Sequence, residues 1–130
     1  MKSFKLNTLP AGRYWVGDPC YVVPQDKWSD FCNRWFALDK MAGHEDNAYY
    51  FQTAYGDGVY WLCGDAKRKS LGVDAGMLSV IPAADVEAWA KICSHSDASL
   101  GEFVTIESDC SISHNGKGNF SFGKYSIKTA

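Results

Sequence analysis

Three aspartates in this sequence stand beside glycines: Asp18 in Gly17-Asp18-Pro19-Cys20-Tyr21, Asp57 in Tyr55-Gly56-Asp57-Gly58, and Asp74 in Val73-Asp74-Ala75-Gly76. Glycine lets a backbone come close to a ligand, and carboxylates bind hard cations or move protons. If the three turns meet at one rim of a sheet, they make a negative, glycine-lined cup with tyrosines at its lip. The same residue types also build ordinary turns, and a buried aspartate can simply accept backbone N–H bonds. The expected binding set is Asp18, Tyr21, Tyr55, Gly56, Asp57, Gly58, Asp74 and Gly76.

Other chemistry is thinner. Cys20 lies between Pro19 and Tyr21, but a nucleophilic thiol needs a base. The sequence does not place His44, His95 or His114 beside it, so a structural thiol is expected. His44-Glu45-Asp46 is a polar cluster in an expected loop. There is no EF-hand spacing, no H-x-x-x-H and no paired cysteine motif. There is also no G-x-G-x-x-G, Walker A or G-x-S-x-G segment. No catalytic residue, metal or cofactor is therefore expected, and Gly116-Lys117-Gly118 reads as a hairpin turn. Adjacent aromatics such as Tyr49-Tyr50 and Tyr60-Trp61 point to opposite faces of a strand. Exposed Tyr and Trp are common anchors of protein interfaces.

The elements that must position these residues follow from periodicity. Phe4 to Leu9 and Arg13 to Val16 read as strands; in the second, Tyr14 and Val16 point one way and Trp15 the other. Asp18 must be extended because proline follows it, and Cys20 to Val23 is expected to resume the strand. Trp28, Phe31, Cys32, Trp35 and Phe36 fall on one helical stripe near residues 26–38, with Asp26 placed as N-cap. Loss of the Trp35 ring is expected to cost about 3–5 kcal/mol. Met41 to Asn47 reads as a loop. Tyr49 to Thr53 and Val59 to Leu62 read as strands joined by a hairpin-like Ala54–Gly58 connection. A charged loop over Gly64 to Ser70 follows, then Leu71 to Asp74 and Met77 to Ile81 in extended form. Pro82 opens a shorter helix near 83–93, with Val86, Trp89, Ala90 and Cys93 as its apolar face. Residues 102–128 read as an antiparallel meander. The fold class is α+β: a mostly antiparallel sheet of about eight to ten short strands with two helices.

Composition sets the outer bounds. The 130 residues suit one domain, 1–130, with a core that needs no disulfide or metal. With 46% hydrophobic and 15% aromatic residues, disorder is excluded. A formal net charge of −2 offers no large basic field, so sequence-specific nucleic-acid binding is not expected. Lys67-Arg68-Lys69 reads as a solvated tip. The five cysteines are odd in number and show no C-x-x-C pair. Met1 to Pro10 has no apolar run, and no stretch approaches the ~20 apolar residues of a membrane span. A cytoplasmic protein with reduced thiols is expected. Cys32 and Cys93 are expected to be small core residues on helical faces.

The segment Gly12-Arg13-Tyr14-Trp15-Val16-Gly17-Asp18-Pro19-Cys20-Tyr21-Val22 resembles the opening of a largely uncharacterised family of small bacteriophage and prophage proteins. Ala54-Tyr55-Gly56-Asp57-Gly58 and Gly72-Val73-Asp74-Ala75-Gly76 are similar to its second and third blocks. The resemblance covers roughly residues 10–82 in the right order. It implies a phage-type accessory protein in the bacterial host cytosol and implies no activity. A non-enzymatic binding module for a host protein or a small signalling molecule is the expectation. The alternatives are a hydrolase with an Asp-based site, with or without a metal, and a structural or self-assembling protein.

Overall fold

The computed structural model describes residues 8–37, 42–45, 48–115 and 117–129. The strands and helices among them are β1 (Thr8–Leu9), β2 (Gly12–Gly17), α1 (Gln25–Ala37), β3 (Ala42–Glu45), β4 (Ala48–Gln52), β5 (Gly58–Cys63), β6 (Lys69–Val73), β7 (Met77–Pro82), α2 (Ala83–Ile92), β8 (Glu102–Ile106), β9 (Cys110–His114), β10 (Asn119–Phe122) and β11 (Tyr125–Lys128). The fold is α+β. One sheet has the order β1-β9-β10-β11-β5-β6 and the other β3-β4-β7-β2-β8. All described strand pairs are antiparallel.

The alternation of β2 explains the layering. Tyr14 and Val16 join Phe51, Val80, Leu62, Leu71, Phe120 and Ile127 in a core between the two sheets. Trp15 points the other way, into a second core with Phe31, Tyr50, Met77, Ile81 and Val86. The five-stranded sheet is thus covered on one side by the six-stranded sheet and on the other by the helices. Its inner strands β4 and β7 are buried almost end to end, which is why they read as unbroken apolar runs. The six-stranded sheet alternates buried and exposed residues, as a sheet with one open face must.

Trp15 is fully buried and its Nε1 donates to the Ala98 carbonyl at 2.8 Å. Two glycines make room for its ring. A Cβ at Gly17 would lie 2.6 Å from the indole, and one at Gly101 would lie 2.5 Å from the Val16 carbonyl oxygen.

Several expectations are corrected. Cys20 does not resume a strand. Pro19–Tyr21 is a 3₁₀ turn, because the Asp18 side chain accepts from the Cys20 N–H and Pro19 supplies a fixed φ at the first position. Asp18 itself is extended, with φ −70° and ψ 122°. α1 starts at Gln25, so Asp26 lies within its first turn rather than capping it. Residues 42–45 form a strand paired with β4, not a loop; Asp46 lies outside the described residues. Tyr49–Thr53 and Val59–Leu62 are no hairpin, since β4 pairs with β7 in one sheet and β5 with β6 and β11 in the other. The C-terminal meander holds for β9-β10-β11, while β8 leaves it to pair with β2. On α2, Val86 is buried but Ala90 is exposed, and Cys93 closes the helix instead of facing the core. Phe4 to Asn7, Gly116 and the side chains of His44, Trp35 and Phe36 lie outside what is described. No helix among the described residues is long and apolar enough to cross a membrane.

Candidate functional site

The chain crosses between the two sheets at β4–β5 and again at β6–β7, and both crossings are tied together. Thr53 N–H donates to the Gly76 carbonyl at 3.0 Å, and Thr53 Oγ1 donates to the Gly56 carbonyl at 2.6 Å. The Tyr60 hydroxyl reaches the same Gly56 oxygen at 2.8 Å. A Cβ at Gly76 would stand 3.8 Å from Gly56 Cα, so the two turns touch. Gly56 and Gly76 sit at φ 73° and 70°, the left-handed region where a side chain is strained.

Asp18 fastens the end of β2 to this corner. It is fully buried. Oδ1 accepts from Cys20 N at 2.9 Å, and Oδ2 accepts from Asp74 N at 2.8 Å and Ala75 N at 2.7 Å. Three amides therefore surround a carboxylate that does not reach solvent. Its role is to hold the Asp74-Ala75 turn, and it is unavailable as a ligand group. Asp74 is exposed and takes the Tyr21 hydroxyl proton donor at 2.5 Å. A Cβ at Gly72 would lie 3.7 Å from that hydroxyl, which places Tyr21 over β6.

Burial, the Asp18 carboxylate and the charges of Asp74 and Asp57 push the Cys20 thiol far above its usual range. Burial and the bond to Asp74 do the same to the Tyr21 hydroxyl. Both groups stay protonated at neutral pH. Cys20 is consequently a structural thiol, and among the described residues no histidine is hydrogen-bonded to it; His95 lies against Cys93 instead.

Of the eight residues marked in the sequence, Asp18, Tyr21, Asp74, Gly56 and Gly76 are joined by these contacts. Asp57 and Gly58 are exposed beside Gly56, and Asp57 is near enough for its charge to act on Cys20. Tyr55 is 78% exposed at the turn's tip. Sequence reasoning missed Thr53, whose hydroxyl locks both crossings. A threonine ending a strand before a turn is the signal that was present.

The corner adjoins the open face of the six-stranded sheet. On that face Val59 is 63% and Trp61 41% exposed, and the Arg68 guanidinium lies 4.2 Å from the Trp61 ring centre. Ser113, Ser121, Ser126 and Cys63 follow one another across four strands. Beside them is a shallow depression of about 350 Å³ whose lining includes Asn119 and Lys128. Among the described residues no three His, Cys, Asp or Glu side chains are grouped to hold a metal ion. No protein-family model, curated protein or solved structure matches the chain.

Proposed function

We propose that the protein is a non-enzymatic binding module whose contact surface is the exposed part of the glycine–aspartate corner, continued onto the neighbouring sheet face. The observation that carries this reading is the division of labour at the corner. Asp18 and Thr53 spend their polar atoms on backbone groups, while Tyr55, Asp57 and Asp74 stay reachable on a braced support. Rigid support under exposed tyrosines favours binding, because little side-chain or loop freedom is lost on contact. Two exposed carboxylates beside Tyr55 and Val59 suit a protein partner that offers basic groups with apolar surface around them. The resemblance to phage accessory proteins supports a bacterial host protein as that partner. The burial of Asp18 speaks against the hydrolase alternative, which needs its carboxylate.

The test is affinity capture from bacterial host lysate with the wild-type chain and with Tyr55→Ala and Asp57→Ala. A discrete protein retained by the wild type, lost in both variants and released by salt is expected. Equal retention by all three, or none by any, overturns the assignment.

A further inference from the structure

We infer that Cys93 is a reactive thiol of this protein, paired with His95 for exchange with small disulfides. This site is separate from the corner and independent of the reading above. Cys93 caps the C-terminus of α2 and is half-buried; His95, two residues on, is exposed. The Cys93 Sγ lies 2.7 Å from His95 Nδ1, and His95 Nε2 lies 3.1 Å from the Val23 carbonyl oxygen. A carbonyl can only accept, so Nε2 carries the ring proton and Nδ1 presents its lone pair to the thiol. A nucleophile, a base within reach and a third group that orients the base form the arrangement that activates cysteine elsewhere in chemistry.

The step balances without outside redox equivalents beyond the disulfide itself. Sγ attacks one sulfur of the small disulfide while its proton passes to Nδ1. The reagent's S–S bond breaks as the new S–S bond forms, and the departing thiolate leaves with the electron pair. The imidazolium then returns the proton to it, giving a free small thiol and a mixed disulfide on Cys93. Positive charge on the ring during this step faces the Val23 oxygen and lies just beyond a helix C-terminus, where cations are favoured.

The other thiols provide the comparison. Cys20, Cys32 and Cys110 are all held toward the protonated form, chiefly by burial. Cys63 is exposed on β5, so it is reachable but has no imidazole hydrogen-bonded to it among the described residues.

The experiment treats the native protein with oxidised glutathione at neutral pH, quenches with acid, and follows each cysteine by peptide mass spectrometry. Cys93 is expected to react at least about tenfold faster than Cys63, in line with general-base assistance. His95→Gln keeps a donor for the Val23 carbonyl but removes the base, and should bring Cys93 down to the rate of Cys63. Circular dichroism of that variant separates a local effect from misfolding, and the wild-type ratio decides by itself if the variant does not fold. Cys93 reacting no faster than Cys63, or reacting equally fast in a folded His95→Gln chain, overturns the inference.

Discussion

The inner strands β4 and β7 of the five-stranded sheet have no free face, whereas the six-stranded sheet has one. In the first, β2, β4 and β7 send apolar side chains both ways, to the other sheet and to the helices. In the second, every other residue of β5, β9, β10 and β11 meets solvent. The contrast separates the parts of the molecule that stability depends on from the parts free to meet a partner. The corner where the chain crosses twice belongs to both, with a sealed half at Asp18 and an open half at Tyr55 and Asp57.

Substitutions on the two sides should therefore differ sharply. Trp15→Ala should show the largest effect, about 3–5 kcal/mol in a denaturant melt, because it empties a fully buried ring site on the covered sheet. A loss below about 1 kcal/mol would place the helices loosely on that sheet. Asp18→Ala comes next, at about 3 kcal/mol, since three buried amides lose a charged acceptor. Asp18→Asn keeps one acceptor and should cost less in the same melt.

The third effect is a pH dependence. The folded chain holds Cys20 and Tyr21 above their ordinary ionisation ranges, which for the free side chains lie near 9.0 and 10.0. The unfolded chain therefore loses these protons first. Stability from this source is whole below about pH 9 and declines as pH rises beyond it, because the folded state binds more protons than the unfolded one. Cys20→Ala should flatten the alkaline limb of a stability–pH profile. The smallest change belongs to the open face: Ser121→Ala should stay within about 0.5 kcal/mol. A larger loss at Ser121 would mean that the serine row is covered in solution.

Much of this fold could be read in the sequence, and the failures share a cause. Alternation marked β2, β5 and the strands after residue 102, and a 3.6-residue period marked α1. The Asp-Gly pair at 57–58 suggested a hairpin, yet β4 and β5 part to different sheets. Local turn chemistry says that a chain reverses and not which strand it rejoins. β3 escaped because Gly43-His44-Glu45 carries no apolar alternation; its pairing with β4 makes it a strand. The Pro19–Tyr21 turn was legible in principle, since Asp-Pro is an N-cap followed by a residue suited to the first position. At the corner, the Gly-Asp blocks mark segments that the fold brings together. Their types could not tell a carboxylate ringed by amides from one in water, because that depends on which loop folds over Asp18.

The strand order has a consequence for how the chain is made. β2 lies between β7 and β8, and β5 needs β11 beside it. Strands from the first half thus wait for partners from the last third, and such distant pairing slows folding. While the nascent chain lacks β8 and β11, β2 and β5 present bare edges to their surroundings. Growth temperature and chaperone supply should therefore govern soluble yield more strongly than the stability of the finished protein does.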